Sequence, residues 1–220
     1  MTQALISIDD LKKKLQQNLT TQRSNVPPSS SNKIKLTDEG FELPTGEVLE
    51  SLDGVVVHYA YANAFYTKRY SPGSVEAPDC FAINSNFAGL APHNDAPKPV
   101  NSECAGCPKN EWGSAPGGGR GKACQNRIRL GVIPPDATSK SPVFILDLPP
   151  TSTGDFIKLI KKLKVPIQTR VLHFTLDSKV DYQKILCSDD QQTPDSIAPI
   201  LLEKMELAVP IVERSYITPE

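Results

Sequence analysis

Three cysteines, one tryptophan and a run of glycines lie together in residues 104–124, CAGCPKNEWGSAPGGGRGKAC. The segment holds three of the five cysteines of the chain, its only tryptophan, and the cations Arg120 and Lys122. Three chemistries use such residues: a phosphate-binding loop uses glycines and a lysine, a thiol redox site uses a Cys-x-x-Cys pair, and a metal knuckle uses a set of cysteines. The spacing of the residues discriminates among them.

The spacing argues against a phosphate-binding loop and against a redox pair. A phosphate-binding loop reads GxxxxGK followed by Ser or Thr, because backbone amides surround the phosphates and the hydroxyl binds magnesium. Here Pro116 stands where the first glycine is needed, and Ala123 follows Lys122. A redox pair begins a helix whose dipole lowers the thiol pKa, whereas Cys107 is followed directly by Pro108 in a loop-like segment.

The cysteine pattern favours a structural zinc site. Zinc prefers four soft ligands, commonly with one close pair, in an irregular loop that the metal then orders. The predicted ligands all fall in an aperiodic stretch that needs such an anchor; they are Cys80, Cys104, Cys107 and Cys124. Cys80 is the weakest member of the set, and His93 is the alternative fourth ligand. A closed four-ligand site leaves no position for a reactive water, so the zinc would be structural, one ion per chain.

The remaining chemistry-bearing residues give no reason to predict an enzyme. Cys187 stands alone on a strand-like run, where a small buried apolar role is the expectation. His58 and His173 lie in strand patterns typical of structural histidines. No HExxH, GxSxG or paired-carboxylate nuclease motif is present in the sequence. We therefore predict no catalytic residue and no small-molecule substrate.

A binding surface for single-stranded nucleic acid is the predicted alternative to catalysis. Such surfaces combine cations that follow the phosphates with aromatic rings on which bases stack. The candidate cations are Arg120, Lys122, Arg127, Arg129, Lys68 and Arg69, and the candidate rings are Tyr59, Tyr61, Phe65, Tyr66, Tyr70 and Trp112. Tyr59, Tyr61 and Phe65 share alternation parity with two valines, so the competing interpretation is that they face the core. Arg127 and Arg129 alternate with apolar residues, which predicts that both guanidiniums are exposed.

The charge distribution agrees with a polyanion held in the middle of the chain. Residues 101–170 carry 11 basic and 5 acidic residues, whereas residues 171–220 carry 4 basic and 9 acidic residues, although the net charge is only −1. A basic middle and an acidic end suit a protein that binds a polyanion centrally. Ordinary surface charge is the competing explanation.

The elements that must position these residues are mostly strands. We predict a helix over residues 7–18 followed by a linker, then one long strand or a hairpin over residues 52–70 and an alternating strand over 125–135. A continuous apolar strand over 141–150, a helix opened by Ser152, an alternating strand over 169–177 and a further strand over 181–188 follow. A last helix begins at about Ile197, and Pro210 kinks or ends it. The predicted organisation is residues 1–39 as helix and flexible linker, 40–190 as core with the zinc insertion at about 71–126, and 191–220 as C-terminal helix and short tail.

This order of elements predicts a β-rich α+β fold. An OB-like small barrel of five strands, with a zinc-stapled loop insertion and flanking helices, accommodates it best. The 220 residues suit one decorated domain, and 39% hydrophobic residues suffice for a core. No apolar run approaches a membrane span, and the start MTQALISIDDLKKK lacks the pattern of a signal peptide, so we expect an intracellular protein without membrane contact.

The chain resembles a poorly characterised family of bacteriophage early proteins. The resemblance covers roughly residues 50–185 and rests on CAGCPKNEWGS, on GKAC, on GVVVHYAYANAFY, on PDCFA, and on LDLPPTSTGDFIKLIKKL leading into QTRVLHF. By similarity, zinc-containing OB-fold single-stranded DNA-binding proteins of phages are the functional model. The resemblance implies a role in DNA replication or recombination in the host cytoplasm, with phage replication or recombination proteins, or a host protein, as further partners.

One departure from that model and two other functions stay open. Phage single-strand binders commonly end in a strongly acidic tail, whereas the final SYITPE has one acid, which puts recruitment of partners through such a tail in doubt. The alternative function is a zinc-stabilised protein-interaction module, such as a transcription cofactor or an inhibitor of a host enzyme. The other is a nuclease or other enzyme whose acidic residues form no familiar motif.

Overall fold

A curled sheet with one helix on each face forms the described part of the molecule. The computed structural model describes residues 32–68, 76–117 and 119–217, which are mixed α+β and strand-rich, with a half-barrel sheet and two helices. The strands are β1 (Lys33–Thr37), β2 (Gly40–Glu42), β3 (Val48–Leu49), β4 (Ser51–Phe65), β5 (Cys80–Asn84), β6 (Gln125–Ile133), β7 (Phe144–Leu148), β8 (Arg170–Leu176) and β9 (Ile185–Gln192). The helices are α1 (Pro150–Lys162) and α2 (Ala198–Val212).

The strand β4 organises the sheet. The strand order is β3-β2-β1-β7-β6-β4-β8-β9, and β5 also pairs with β4. Only β1 and β7 pair in parallel, and the other described pairs are antiparallel. The first residues of β4 pair with β8 and its last residues pair with β5, while β6 follows its other side. Fifteen residues of β4 therefore connect the regular core to the cysteine-bearing region.

A bulge in β4 decides which of its side chains share a face. Val57 has no partner in β6, because the pairing register shifts between the residues on either side of it. Val55 and Val57 consequently pack in the core cluster of α2, whereas Tyr59 and Tyr61 pack against the cluster of α1. The expectation that these tyrosines share a face with the two valines is wrong, since one extra residue reverses the alternation.

The two helices cover opposite faces of the sheet. Phe156 of α1 is fully buried with Ile128 and Leu130 of β6. On the other face, α2 approaches β6 so closely that a Cβ added to Gly131 would lie 2.8 Å from a methyl carbon of Val212. Alternating residues of β6 thus belong to two different cores, as strand geometry requires.

The predicted helices are present, with one change at the start of α1. The last helix agrees with the prediction, and Pro210 lies in its final turn. Ser152 does not cap α1, which begins at Pro150; it is buried, and its hydroxyl accepts a hydrogen bond of 2.7 Å from the amide of Ile185 in β9. In the described residues, no helix is both long enough and apolar enough to cross a membrane.

The predicted domain boundaries differ from the observed strands at two places. β1 forms within the predicted linker and pairs with β7, so the sheet begins at Lys33 and not near residue 40. β5 lies inside the region that was predicted to be aperiodic, because CFAIN is too short for a clear alternation signal. The predicted helix over residues 7–18 lies outside the described residues.

Candidate metal centre and nucleic-acid interface

Two of the four candidate ligands are placed by strand register. Cys80 begins β5 and pairs with Phe65 at the end of β4. On the other side of β4, Gln125 pairs with Ala64, so Cys124 immediately precedes the paired part of β6. Cys80 and Cys124 therefore flank the end of the same central strand, although 44 residues separate them in number.

The loop between β5 and β6 brings the other two cysteines to this place. The amide of Cys104 donates to the carbonyl of Leu90, and the amide of Cys124 donates to the carbonyl of Lys109 at 2.7 Å. Asn110 joins the two ends of the loop, because its side-chain Nδ2 donates to the carbonyl of Cys104 and its Oδ1 accepts from Lys122 Nζ. The 104–124 segment is thus a hydrogen-bonded unit.

Ser114 is a second connection inside the loop. Its hydroxyl lies 2.6 Å from the carbonyl oxygen of Glu111 and accepts a hydrogen bond of 3.0 Å from the amide of Ala123. Gly117 has a φ of 93°, in the left-handed region that favours glycine. The asparagine, serine and glycine of the quoted motif are therefore structural residues that shape the loop.

The four cysteines line one small cavity. Its volume is about 20 Å³, and its walls include Cys80, Cys104, Cys107, Cys124 and Asn63. A space of this size accommodates about one water-sized guest. The four sulfurs do not form a preformed coordination shell. In the described ranges, no group of three or more His, Cys, Asp or Glu side chains is arranged to hold a metal ion.

The ionisation of the thiols reflects their burial and their proximity. Burial raises the pKa of Cys124 to about 12, with further increases from Cys104, Cys107 and Cys80. Burial also raises the pKa of Cys104, against a hydrogen bond from Asn63 that lowers it, while Cys80 and Cys107 raise it. These mutual effects show that the four thiols are electrostatic neighbours. Lys122 opposes the increase only in part, so Cys124 is a neutral thiol at neutral pH.

His93 is engaged elsewhere, and it does not line the cavity. Its ring stacks on Phe81 with centroids 5.1 Å apart, and its Nδ1 accepts a hydrogen bond from the amide of Asp95. Of the two candidates for the fourth ligand, only Cys80 lines the cavity. Cys187 lies on β9, half-buried against the core, and burial raises its pKa to about 12.

The cysteine loop presents Trp112 to solvent. The side chain is 79% exposed, the largest exposure among the exposed large hydrophobic residues of the described chain. Lys122 Nζ lies 5.2 Å from the centroid of the indole ring, a cation–π contact, and Arg120 lines the same shallow depression. An exposed ring near two cations has the two features that single-strand binding surfaces combine, a stacking platform and positive charge.

Arg129 does not belong to this surface, and its predicted exposure is wrong. Its Nε pairs with Asp147 at 3.3 Å, and its Nη1 donates to the carbonyls of Val212 and Arg214 at 3.0 and 2.7 Å. The guanidinium also lies 4.8 Å from the ring centroid of Tyr216. The C-terminal segment therefore covers this side of β6, and Arg129 is only 7% exposed.

The other candidates of that face are only partly available. Arg127 is half-buried, and its Nε and Nη2 donate to Gln125 Oε1. Tyr66 is half-buried too, and burial raises its pKa. Lys68 is exposed and pairs with Glu76 at 3.2 Å. Arg69 and Tyr70 lie outside the described residues.

The candidate rings of β4 occupy the face of α1. Tyr59 is half-buried and meets Phe156 edge-on at 5.8 Å, so the core interpretation holds for it. Phe65 is half-buried beside the cysteine cavity, with Lys109 Nζ 5.4 Å from its centroid. Tyr61 is half-buried and contacts Phe87, a ring that the sequence prediction missed. The signal for Phe87 was its place in NSNFAGL, since a large aromatic residue within turn formers is readily left exposed.

The comparisons with known proteins give no relative for this chain. No protein-family model, no curated protein and no solved structure matches it.

Proposed function

We propose that the protein binds single-stranded DNA without catalysing a reaction on it. The observation that carries this proposal is the exposed ring of Trp112, with Lys122 over it and Arg120 lining the same depression. The loop that holds it is fixed by hydrogen bonds of Asn110 and Ser114, so the ring is exposed on an ordered support. A base can stack on the indole while the two cations meet adjacent phosphates, and this contact does not depend on the base sequence.

The fold is compatible with this function. The curled sheet is consistent with an OB-like small barrel, an architecture that often carries single-strand sites on its strands and loops. The resemblance to bacteriophage early proteins supports a role in phage DNA replication or recombination in the host cytoplasm. Arg129 is not part of the proposed interface because it is buried. Arg127 is half-buried, so only the exposed part of its side chain could contact DNA.

The four cysteines, in the same proposal, hold one zinc ion that fixes the Trp112 loop. Their convergence on one cavity of about 20 Å³ supports this assignment. Zinc binds cysteine as the thiolate, so the ion would compensate for the burial that raises the pKa of Cys104 and Cys124. Zinc would supply only a structural cross-link between β5, β6 and the loop, which orients Trp112 and its two cations.

The DNA proposal has a direct test because Trp112 is the only tryptophan of the chain. Titration with oligothymidine should quench its fluorescence, and affinity should fall as salt increases. Trp112→Ala should weaken binding about tenfold, within the range for loss of one stacked base, and Trp112→Phe should retain most of the affinity. Tyr182→Ala, which removes another exposed ring, is the matched control and should bind like the wild type. Absence of binding at low salt would refute the proposal.

The zinc assignment has its own test. Metal analysis of protein purified without added zinc should give about one equivalent. Cys107→Ser should lose the metal, whereas Cys187→Ser, a half-buried cysteine on β9, should keep it. Cobalt substitution should give the absorption of a tetrahedral thiolate site in wild-type protein. Full zinc retention by Cys107→Ser, or a cobalt spectrum without thiolate bands, would contradict the ligand set.

A protein-interaction module is the second candidate, and one surface favours it. The outer side of α2 exposes Leu202 at 72%, together with Leu207 and Val209, beside Glu203 and Glu206. Exposed apolar residues next to acids are typical of protein-binding surfaces. Leu202→Ser should leave oligothymidine binding unchanged if the DNA proposal is correct, since α2 covers the other face of the sheet.

A further inference from the structure

A second exposed ring lies on the turn that follows β5. Phe87 is 67% exposed and opens a short 3₁₀ turn, Phe87–Gly89. This turn is fixed by two asparagines: Asn86 Oδ1 accepts from the amide of Ala88, and Asn84 Oδ1 accepts from the amide of Asn86. Asn84 Nδ2 donates to the carbonyl of Gly89. Local hydrogen bonds of the turn, and not burial of the ring, therefore fix the position of Phe87.

A row of aromatic rings connects Phe87 to the core. Tyr61 meets it edge-on, with centroids 5.1 Å apart and an interplanar angle of 67°. Tyr61 in turn contacts Tyr59 at 6.2 Å, and Tyr59 contacts the buried Phe156 of α1 at 5.8 Å. The bulge at Val57 is what places both tyrosines on this face. The exposed ring is thus the outer end of a packed aromatic row that begins in the core.

The turn is also joined to the cysteine loop. Leu90, which ends the turn, is buried, and its carbonyl accepts a hydrogen bond of 3.0 Å from the amide of Cys104. Cys104 begins the same hydrogen-bonded unit that carries Trp112. Phe87 and Trp112 are therefore two exposed rings on connected supports.

We propose that Phe87, supported by Tyr61, is a second stacking site for an unpaired nucleobase, on the same bound strand as Trp112. The site rests on the proposed DNA-binding function and extends it to a path that runs from the cysteine loop to the β5 turn. Every base offers a π-face, so the site accepts any base, and the side-chain amides of Asn84 and Asn86 border it. A strand that is long enough occupies both rings, whereas a very short oligonucleotide occupies one.

The test separates this site from the one at Trp112. The reporter variant Phe87→Trp/Trp112→Phe has a single indole at position 87, which a long oligothymidine should quench. Phe87→Ala should weaken binding of the long oligonucleotide about five- to tenfold, the loss expected for one stacked base, and should change the affinity of a dinucleotide less than twofold. Tyr182→Ala serves again as the exposed-ring control. Thermal unfolding of each variant checks that the fold is retained, and the exposed position predicts that it is.

The outcomes distinguish the two proposals. Quenching at position 87 with a length-dependent loss in Phe87→Ala supports the second site. Quenching of Trp112 in the wild type without quenching at position 87, and with unchanged affinity of Phe87→Ala, overturns the second site and leaves the DNA proposal standing. No binding by the wild-type chain overturns the proposed function itself. Binding of a protein that Phe87→Ala abolishes, with DNA binding unaffected, would assign Phe87 to a protein partner and likewise overturn the nucleobase site.

Discussion

At the scale of single residues, the cluster around Asp147 explains why a basic strand face is not a DNA surface. Asp147 is buried and forms ion pairs with Lys33 at 2.7 Å and with Arg129 at 3.3 Å. Arg129 also satisfies two carbonyls at the end of the chain. A buried cation is tolerated only when its charge and its donors are matched in this way. The guanidinium therefore connects β6, β7 and the C-terminal segment.

Replacing Arg129 should reduce stability much more than replacing its neighbour Arg127. In Arg129→Ala, two carbonyls lose this donor and Asp147 loses its ion pair with Arg129, so we expect a loss of about 3 kcal/mol in the free energy of unfolding. Arg127→Ala, which removes a half-buried side chain bonded to Gln125, should cost less than about 1 kcal/mol. Urea unfolding of both variants, followed by circular dichroism, measures the difference. Equal stabilities would show that Arg129 is not a structural cation.

Asp147 should make the free energy of unfolding decrease at acidic pH. Burial alone raises the pKa of Asp147, but Lys33 and Arg129 outweigh it, so the pKa lies below its usual value. A carboxylate with a lowered folded pKa stabilises the fold above the unfolded pKa of about 4 and loses that contribution as pH falls through the folded value. Asp147→Asn should be destabilised at pH 7 and should show a shallower loss of stability on acidification. An unchanged acid dependence in urea unfolding would contradict this role.

At the scale of elements, alternation along the sequence predicted most strands but not the faces of β4 and β6. The strand β4 was predictable from its β-prone run, whereas the bulge at Val57 was not, since an extra residue leaves no mark in composition. The burial of Arg129 depends on residues more than 80 positions away, and no local pattern reports such a contact. The cysteine spacing singled out four residues that line one cavity, although Cys80 reaches it through its pairing with Phe65 of β4, which no local pattern reports. Whether these cysteines bind a metal stays a prediction.

The contact between α2 and β6 gives a sharp test of helix placement. A Cβ at Gly131 would lie 2.8 Å from Val212 and 3.3 Å from Ala208, so Gly131→Ala should push α2 away and cost about 1–3 kcal/mol. Gly154, in α1, has open space around its Cβ position, and Gly154→Ala should stabilise the protein by about 0.5–1 kcal/mol. Thermal or urea unfolding compares the two. An unchanged or increased stability of Gly131→Ala would contradict the packing of α2 on β6.

At the scale of the whole molecule, the two sheet faces differ in charge. The face of α1 exposes Lys158, Lys161, Lys162 and Lys164, and it also carries the cysteine cavity, because Tyr61 and Asn63 alternate on the same side of β4. The outer side of α2 exposes Glu203 and Glu206. The charge asymmetry of the sequence thus becomes an asymmetry between opposite sides of the protein. Although Asp189 of β9 lies near Lys162 and Lys164, we expect a polyanion to be attracted more strongly to the side of α1 than to the side of α2.

This field should guide DNA to the side of α1, which matched charge variants can measure. Lys161→Gln/Lys162→Gln should lower the association rate constant for oligothymidine about three- to tenfold at low salt, because long-range attraction speeds encounter. Glu203→Gln/Glu206→Gln removes two charges of opposite sign from the other side and should change that rate constant less than twofold. Stopped-flow fluorescence of Trp112 measures both, and the difference should vanish at high salt, where screening shortens the reach of each charge. If both variants change the rate equally, or if the effect of the lysines persists at high salt, DNA does not approach along the face of α1.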